Sequence, residues 1–359
     1  MPKRRLLFYT HALAGGGGER VWALVASGLS RRGHDVGFAV DYSANDNEHL
    51  IAPELRRFVL GRNHISATRA LAGLLARERP DMAFSAIGAS NAKLLAAKAL
   101  SGWRGAAILS VHGRFDAEPR FLGRLSYAAT ALTSRLGART IAVSDDLRRY
   151  LVERFFADRG RVVTIHNGIV LPPAPSLPDA AMLLARDNVV LGVGRLVAGK
   201  DFASLIDAFA RSKRAQRLIL LGEGPERSRL EEQIARKGLS SRVELRGYLV
   251  EPWPVFSQAK MLALSSRSEA FGNVLVEALA HGLPVAATRC GGAQEILDEG
   301  QFGRLVAIGD CEAMARAIDE TLADPGDPAR HRARAETFSL DRALDRFEAL
   351  IESVLSERG

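Results

Sequence analysis

The sequence predicts an α/β protein made of two doubly wound units, each a parallel sheet covered by helices on both faces. Three observations lead there. Apolar runs of strand length alternate with longer stretches of helical apolar spacing along nearly the whole chain, the pattern that parallel strands and crossover helices produce. The alternation breaks once, after His166, where Asn167-Gly168 is followed by Pro172, Pro173, Pro175 and Pro178, a composition that continues neither a helix nor a central strand. A chain of 359 residues also exceeds one ordinary domain core, so two are expected.

Taken in order, residues 5–10 read as a buried strand, followed by the run Gly15-Gly16-Gly17-Gly18 and a helix over 19–32 with Val21, Leu24, Val25 and Leu29 on one face. The apolar segment 35–40 then closes a βαβ unit. Strands are expected at 81–87, 106–111, 139–144 and 161–165, separated by helices at 65–79, 89–100, 121–136 and 145–156. These make a first domain over 1–170, and the proline-rich stretch 171–187 reads as a linker. A second domain, 188–338, restarts the alternation with a strand at 188–194, a helix at 202–212, a strand at 217–221, a helix at 225–237 and a strand at 242–246, continuing to 303–308. Within 339–359, Leu344, Phe347, Leu350, Ile351 and Leu355 fall at helical spacing. That apolar stripe requires a surface to dock on.

Composition is that of an ordinary soluble globular protein. Cys290 and Cys311 have no metal or redox spacing, which fits two reduced thiols and a cytoplasmic setting. No apolar run reaches membrane-spanning length, and the apolar stretch after Met1 is too short for a signal peptide, so export by that route is not expected. The net charge of +8 is uneven: residues 1–170 hold 25 Lys and Arg against 14 Asp and Glu. Such a basic half attracts nucleic acid, anionic lipid or an anionic substrate. No nucleic-acid module or aromatic-basic stripe accompanies the charge, so a nucleic-acid partner is not expected. The sequence carries no sign of oligomeric state.

The chemistry-bearing stretch is Ser268-Glu269-Ala270-Phe271-Gly272-Asn273-Val274-Leu275-Val276-Glu277. It places Glu269 in a loop behind the apolar run 261–264 and Glu277 inside the helix that follows. At the C-terminal edge of a parallel sheet, a crevice and a helix N-terminus favour a phosphorylated ligand, with the two acids on its hydroxyls. A second strand-to-helix loop, Gly192-Val193-Gly194-Arg195 to Lys200-Asp201, carries two cations able to reach a diphosphate. An Arg and Lys in a solvated loop is the plainer reading, and the shared sheet edge is what argues for function. Asp201 reads as a helix N-cap. Gly222-Glu223-Gly224 would allow close approach of a ligand, and Tyr248-Leu249 would either face a planar base with main-chain groups or join the core.

In the first domain the glycine run leaves backbone N–H groups open to a phosphate or sugar. It also contains the glycine spacing of dinucleotide folds, with Asp41 as the acid about 20 residues on, which keeps an NAD-dependent oxidoreductase as a rival reading. His112 ends a strand and precedes Gly113, either as a structural imidazole or as one at the mouth of the site. There is no nucleophile elbow, no Walker loop and no His pair with metal spacing, so neither a metal nor a cofactor is expected.

Together the glycine loop with Glu19-Arg20, the strand-end His112, Ile165-His166-Asn167-Gly168-Ile169, Gly194-Arg195 with Lys200, Gly222-Glu223-Gly224, the Glu269 to Glu277 element and Cys290-Gly291-Gly292 with Glu295 resemble a family 4 retaining glycosyltransferase of the GT-B fold. That resemblance spans the whole chain. It implies two Rossmann-like domains facing across a cleft, the first for the acceptor and the second for a nucleotide-sugar donor, with a C-terminal helix crossing back to the first. It implies that Arg195 and Lys200 clamp the diphosphate, Glu277 bonds the ribose and Glu269 contacts the transferred sugar. Backbone groups of Phe271, Gly272, Asn273 and Val274 would hold sugar and phosphate, joined by Gly194, Gly222, Tyr248 and Leu249. His112 with Gly16 and Gly17 would lie by the reacting centre. Ala270, where the family often has Gly, and Asp201, where Gly or Asn is frequent, are departures that bear on donor choice.

The resemblance extends to transferases that build bacterial cell-surface glycans from UDP-hexose or UDP-N-acetylhexosamine. A lipid-linked acceptor would give the basic domain a use, with Arg114, Arg120, Arg124 and Arg135 facing an anionic membrane surface. A non-catalytic nucleotide-sugar-binding protein is the rival outside enzymes.

Overall fold

Thirteen short strands among the described residues, most of them rich in apolar residues, form two parallel sheets. Runs such as Leu6-Leu7-Phe8-Tyr9 in β1 (Arg5–Thr10) and Met261-Leu262-Ala263-Leu264 in β11 (Met261–Leu264) are buried on both faces, because helices cover each side of a parallel sheet. The computed structural model describes all residues except 1, 15, 45–46, 87, 116–120, 174–176 and 359, and also leaves the side chains of Phe121 and Leu122 undescribed. The expected positions Gly15, Ile87, Arg120 and Pro175 therefore lie outside the described residues.

The chain divides into two compact units, Met1–Gly168 with Ser339–Gly359, and Ile169–Phe338. The first holds β1, β2 (Asp35–Val40), β3 (Arg56–Val59), β4 (Met82–Ala86), β5 (Ala106–Val111), β6 (Arg139–Ala142) and β7 (Val162–Thr164) in the order β3-β2-β1-β4-β5-β6-β7. The second holds β8 (Val189–Val193), β9 (Arg217–Leu221), β10 (Val243–Gly247), β11, β12 (Val285–Thr288) and β13 (Arg304–Val306) in the order β10-β9-β8-β11-β12-β13. Every recorded strand pairing is parallel. In each unit the order reverses once, between β1 and β4 and between β8 and β11. Such switch points open a crevice beyond the strand ends where ligands bind.

The helix Leu340–Ser356 completes the core of the first unit. Phe347 lies 6.1 Å from Trp22 and 6.0 Å from Phe84, ring centre to ring centre, and Phe8 stacks on Phe84 at 4.8 Å. The helix Gly17–Arg31 can approach this closely because Gly28 has no side chain: a Cβ there would stand 2.6 Å from Leu344 Cδ1. Arg32 fastens the same helix from outside, donating to Asp345 at 2.8 Å, Glu348 at 2.6 Å and the Asp341 carbonyl at 3.1 Å. The second unit has its own core, with Leu205, Phe209, Leu220, Met261 and Ile318 fully buried.

Four details differ from the sequence reading. β3 lies at the sheet edge, pairs only with β2 and is largely exposed, so Arg56-Arg57 hides it from an apolar search. Part of the stretch read as linker is helical, Ala180–Ala185, because Asp179 accepts a hydrogen bond from the Met182 N–H at 2.7 Å. The helix expected over 121–136 is two, Phe121–Ala128 and Thr130–Leu136, separated at Ala129. The strand expected to run to 144 ends at Ala142, where Ser144 turns to cap the helix Asp145–Phe155.

Phe347→Ala removes an aromatic side chain that is 3 % exposed from between Trp22 and Phe84. It is expected to cost about 3–5 kcal/mol in urea unfolding, and a loss below about 1 kcal/mol would show that this helix is not part of the first core.

Candidate functional site

In the second unit four strand-end loops meet backbone to backbone. The loop after β9 rests on the loop after β8, since a Cβ at Gly222, whose φ is +139°, would stand 1.9 Å from the Gly194 carbonyl oxygen, and one at Gly224 would stand 2.3 Å from that of Leu196. Hydrogen bonds hold the contact: Gly194 N–H to Leu221 O at 2.9 Å, Leu196 N–H to Glu223 O at 2.9 Å and Glu226 N–H to Leu196 O at 3.0 Å. The Cys290-Gly291-Gly292 turn packs on the loop after β11 in the same way, as a Cβ at Gly292 would lie 2.1 Å from Phe271 O. Side chains at these glycines would force the loops apart.

The loops after β8 and β11 flank the switch point of this sheet. Lys200 Nζ donates to Glu269 Oε1 at 2.5 Å, and Ser266 Oγ donates to the same oxygen at 2.7 Å. Ser265 Oγ donates to the Lys200 carbonyl at 2.9 Å, and Arg267 pairs with Asp201 at 2.9 Å. Asp201 itself caps the helix Phe202–Arg211. Arg195 is exposed, and its guanidinium has no partner among the described residues. The result is one cation held against a carboxylate and a second cation open beside it.

The helix Asn273–Ala280 begins at Gly272, with φ +111° and no side-chain cap. Its N-terminus therefore presents main-chain donors and a positive dipole end at this edge. Phe271 is buried against Phe338 at 5.4 Å between ring centres, so its side chain belongs to the core. Val274 is 9 % exposed and Glu277, in the second turn, 7 %. Tyr248 and Leu249 follow β10, the outer strand of the order β10-β9-β8. At 53 % exposure Tyr248 is not core.

Gly16, Gly17 and His112 belong to the first unit. Gly16 N-caps the helix Gly17–Arg31, and its carbonyl accepts from Arg20 N–H at 3.1 Å. His112 sits against the next residue of the run, since a Cβ at Gly18 would lie 3.1 Å from His112 Cβ. Ser110 Oγ bonds its Nε2 at 2.8 Å, and the edge of the ring meets Trp22 at 5.5 Å. Nδ1 is buried with no hydrogen-bond partner among the described residues. Burial disfavours the imidazolium and pushes the pKa down to about 4. His112 is therefore a neutral imidazole at pH 7, with one nitrogen fixed by Ser110 and the other unspent.

Residues that sequence reasoning missed are the serines that set this geometry, Ser110, Ser265 and Ser266. Their only signal was position, at the end of an apolar strand.

Residues 15–171 match the family model "Glycosyltransferase Family 4", and residues 181–338 match "Glycosyl transferases group 1". The chain belongs to the family 4 glycosyltransferases. Curated relatives include the lipopolysaccharide core biosynthesis glycosyltransferase LpsE of Rhizobium meliloti, 34 % identical over 203 residues, covering 55 % of this chain and 56 % of LpsE. Another is the N-acetylgalactosamine-N,N'-diacetylbacillosaminyl-diphospho-undecaprenol 4-alpha-N-acetylgalactosaminyltransferase of Campylobacter jejuni, 32 % identical over 190 residues, covering 52 % and 51 %. The match thus spans about half the length of these relatives. Among solved structures, Anabaena HepE in complex with UDP-glucose superposes with a TM-score of 0.83 at 20 % identity, covering 98 % of this chain and 100 % of that one. Sucrose-phosphate synthase from Thermosynechococcus elongatus gives 0.83 at 20 % identity, covering 99 % and 100 %. The fold is that of the GT-B glycosyltransferases, two Rossmann-like units in one chain.

The state of His112 has a pH signature. Its pKa is near 6.5 when unfolded and about 4 when folded, so between these values the unfolded chain binds more protons and stability falls as pH drops from about 6.5 toward 4. In a histidine-ring NMR titration, the His112 signals are expected to show no protonation step above pH 5.5. A midpoint near 6.5 would mean that the ring is solvated.

Proposed function

We propose that the protein is a retaining glycosyltransferase that moves a hexose or N-acetylhexosamine from a UDP-sugar to a glycan or lipid-linked acceptor in cell-envelope glycan synthesis. The observation that carries this reading is the pairing of Lys200 with Glu269 beside the unpartnered Arg195, at the switch point and next to the uncapped helix at Gly272. Breaking the anomeric C–O bond leaves a nucleoside diphosphate whose charge grows in the transition state. Arg195, Lys200 and the helix N-terminus are fixed donors for that charge, so the reaction as proposed needs no metal or other cofactor.

In this reading Glu269 positions the sugar and orients Lys200, while Glu277 bonds the ribose. His112 and the amides of Gly16 and Gly17 belong to the acceptor side. Retention follows from attack on the face that the diphosphate leaves, with a leaving-group oxygen taking the acceptor's proton. The printed names of the Rhizobium and Campylobacter relatives, one for lipopolysaccharide core and one for a diphospho-undecaprenol substrate, support the acceptor class.

The oxidoreductase rival loses support from Asp41. The acid that reading needs on a ribose has a fully buried carboxylate that already accepts from Tyr9, His11 and Lys93.

Attachment to the inner face of the cytoplasmic membrane is part of the proposal. On the helices Phe121–Ala128 and Thr130–Leu136, Leu125, Leu132 and Leu136 are 54 %, 61 % and 57 % exposed, with Arg124 and Arg135 beside them. Leucines on an exposed helix face flanked by arginines suit an anionic lipid surface. No described helix is long and apolar enough to cross a membrane.

Thermal shift tests the donor site. UDP and UDP-sugars are expected to stabilise the wild type and to lose most of that effect in Arg195→Ala, and stabilisation by NAD(H) but not UDP would overturn the reading. Binding to anionic vesicles at low salt is expected to fall severalfold in Leu132→Asp with Leu136→Asp. Unchanged sedimentation of the double variant would exclude this face.

A further inference from the structure

The first unit contains a second cluster of titratable groups, at the C-terminal ends of β1 and β2. Its centre is Asp41, whose side chain is 0 % exposed. Tyr9 Oη donates to Asp41 Oδ1 at 2.9 Å, His11 Nδ1 lies 2.5 Å from Oδ2, and the buried Lys93 ammonium donates to Oδ2 as well. Burial opposes ionisation of Asp41, but hydrogen bonds from His11, Lys93 and Tyr9 outweigh it and hold the carboxyl below its usual range. The negative charge is therefore spent inward.

What the cluster leaves accessible is cationic or able to become so. His11 is 37 % exposed at its side chain and stacks on His64, ring centres 5.5 Å apart. Tyr42 meets the edge of His11 at 5.1 Å, and the Arg62 guanidinium lies 5.4 Å from the Tyr42 ring centre. His64 and Arg62 are exposed. The charge of Lys93, together with partial burial, lowers the pKa of His64. An anion beside His64 would offset that field and favour its imidazolium form.

We propose that His11, His64 and Arg62 form a phosphate-binding site, with Asp41, Tyr9 and Lys93 as the buried support that orients His11. Resting on the glycosyltransferase reading, this assigns the acceptor as a phosphorylated molecule whose phosphate is read in the first unit. His11, Asp41 and His64 also have the ligand types of a transition-metal site, their ligand atoms lying within 4.8 Å of one another. Lys93 occupies the Asp41 oxygen that a metal would need, and its charge opposes a second cation. Phosphate meets neither obstacle.

The test follows the histidine-ring NMR signals of the full chain during titration with inorganic phosphate, with diphosphate, and with vesicles containing phosphatidic acid against vesicles of phosphatidylcholine alone. The His11 and His64 signals are expected to shift with added phosphate or diphosphate, with the His64 midpoint moving to higher pH. Arg62→Ala is expected to weaken the effect about tenfold, the value of one charge-assisted contact. Shifts with phosphatidic acid vesicles alone would place the same phosphate chemistry on a lipid head group and also support the site. Unmoved histidine signals in all arms, or signals that respond to Zn²⁺ and not to phosphate, would overturn it. Stabilisation by UDP, read in parallel, separates the two ideas: if UDP binds while phosphate does not, this site alone fails, and the reverse result removes the donor reading.

Discussion

The loop cluster at the switch point of the second unit depends on backbone packing directly against backbone. Gly222 and Gly224 lie on the carbonyls of Gly194 and Leu196, and Gly292 lies on Phe271. Each contact removes the width of a side chain, so loops from four strands converge at one edge of the sheet. Lys200 and Glu269, 69 residues apart in sequence, form a pair only because β8 and β11 are neighbours and their loops are held this tightly. Without that convergence Arg195 and Lys200 would be two cations on one surface loop with no carboxylate from the β11 loop against them.

The pair also fixes a long side chain. A lone ammonium at position 200 would sample many rotamers. Bonded to Glu269, which is steadied in turn by Ser266, Lys200 keeps one position with its other two ammonium protons uncommitted to Glu269. Arg195 is exposed and has no such partner among the described residues.

Much of this was legible in the chain. Period and punctuation gave the alternation of strands and helices, because buried parallel strands read as unbroken apolar runs and glycines mark loops where a Cβ does not fit. The loops bearing Arg195, Lys200 and Glu269 could be read for the same reason. What stayed hidden depended on tertiary context. Arg56-Arg57 concealed β3, since an edge strand needs no apolar face. The exposure of Tyr248 and the low proton affinity of His112 are set by neighbours far away in sequence, and so is the use of Asp41 as an internal counter-ion rather than a ribose ligand. Local pattern carries no information about those neighbours.

The helix Leu340–Ser356 has a consequence for how the protein is made. Residues 1–168 cannot complete their core until this last segment leaves the ribosome, because Phe347, Leu344 and Ile351 are part of it. The unit over 169–338 is contiguous and can fold while synthesis continues. Of the two units, the one translated earlier is thus completed after the other, and until then the apolar faces around Trp22 and Gly28 stay uncovered, a window in which a nascent-chain chaperone has a surface to hold.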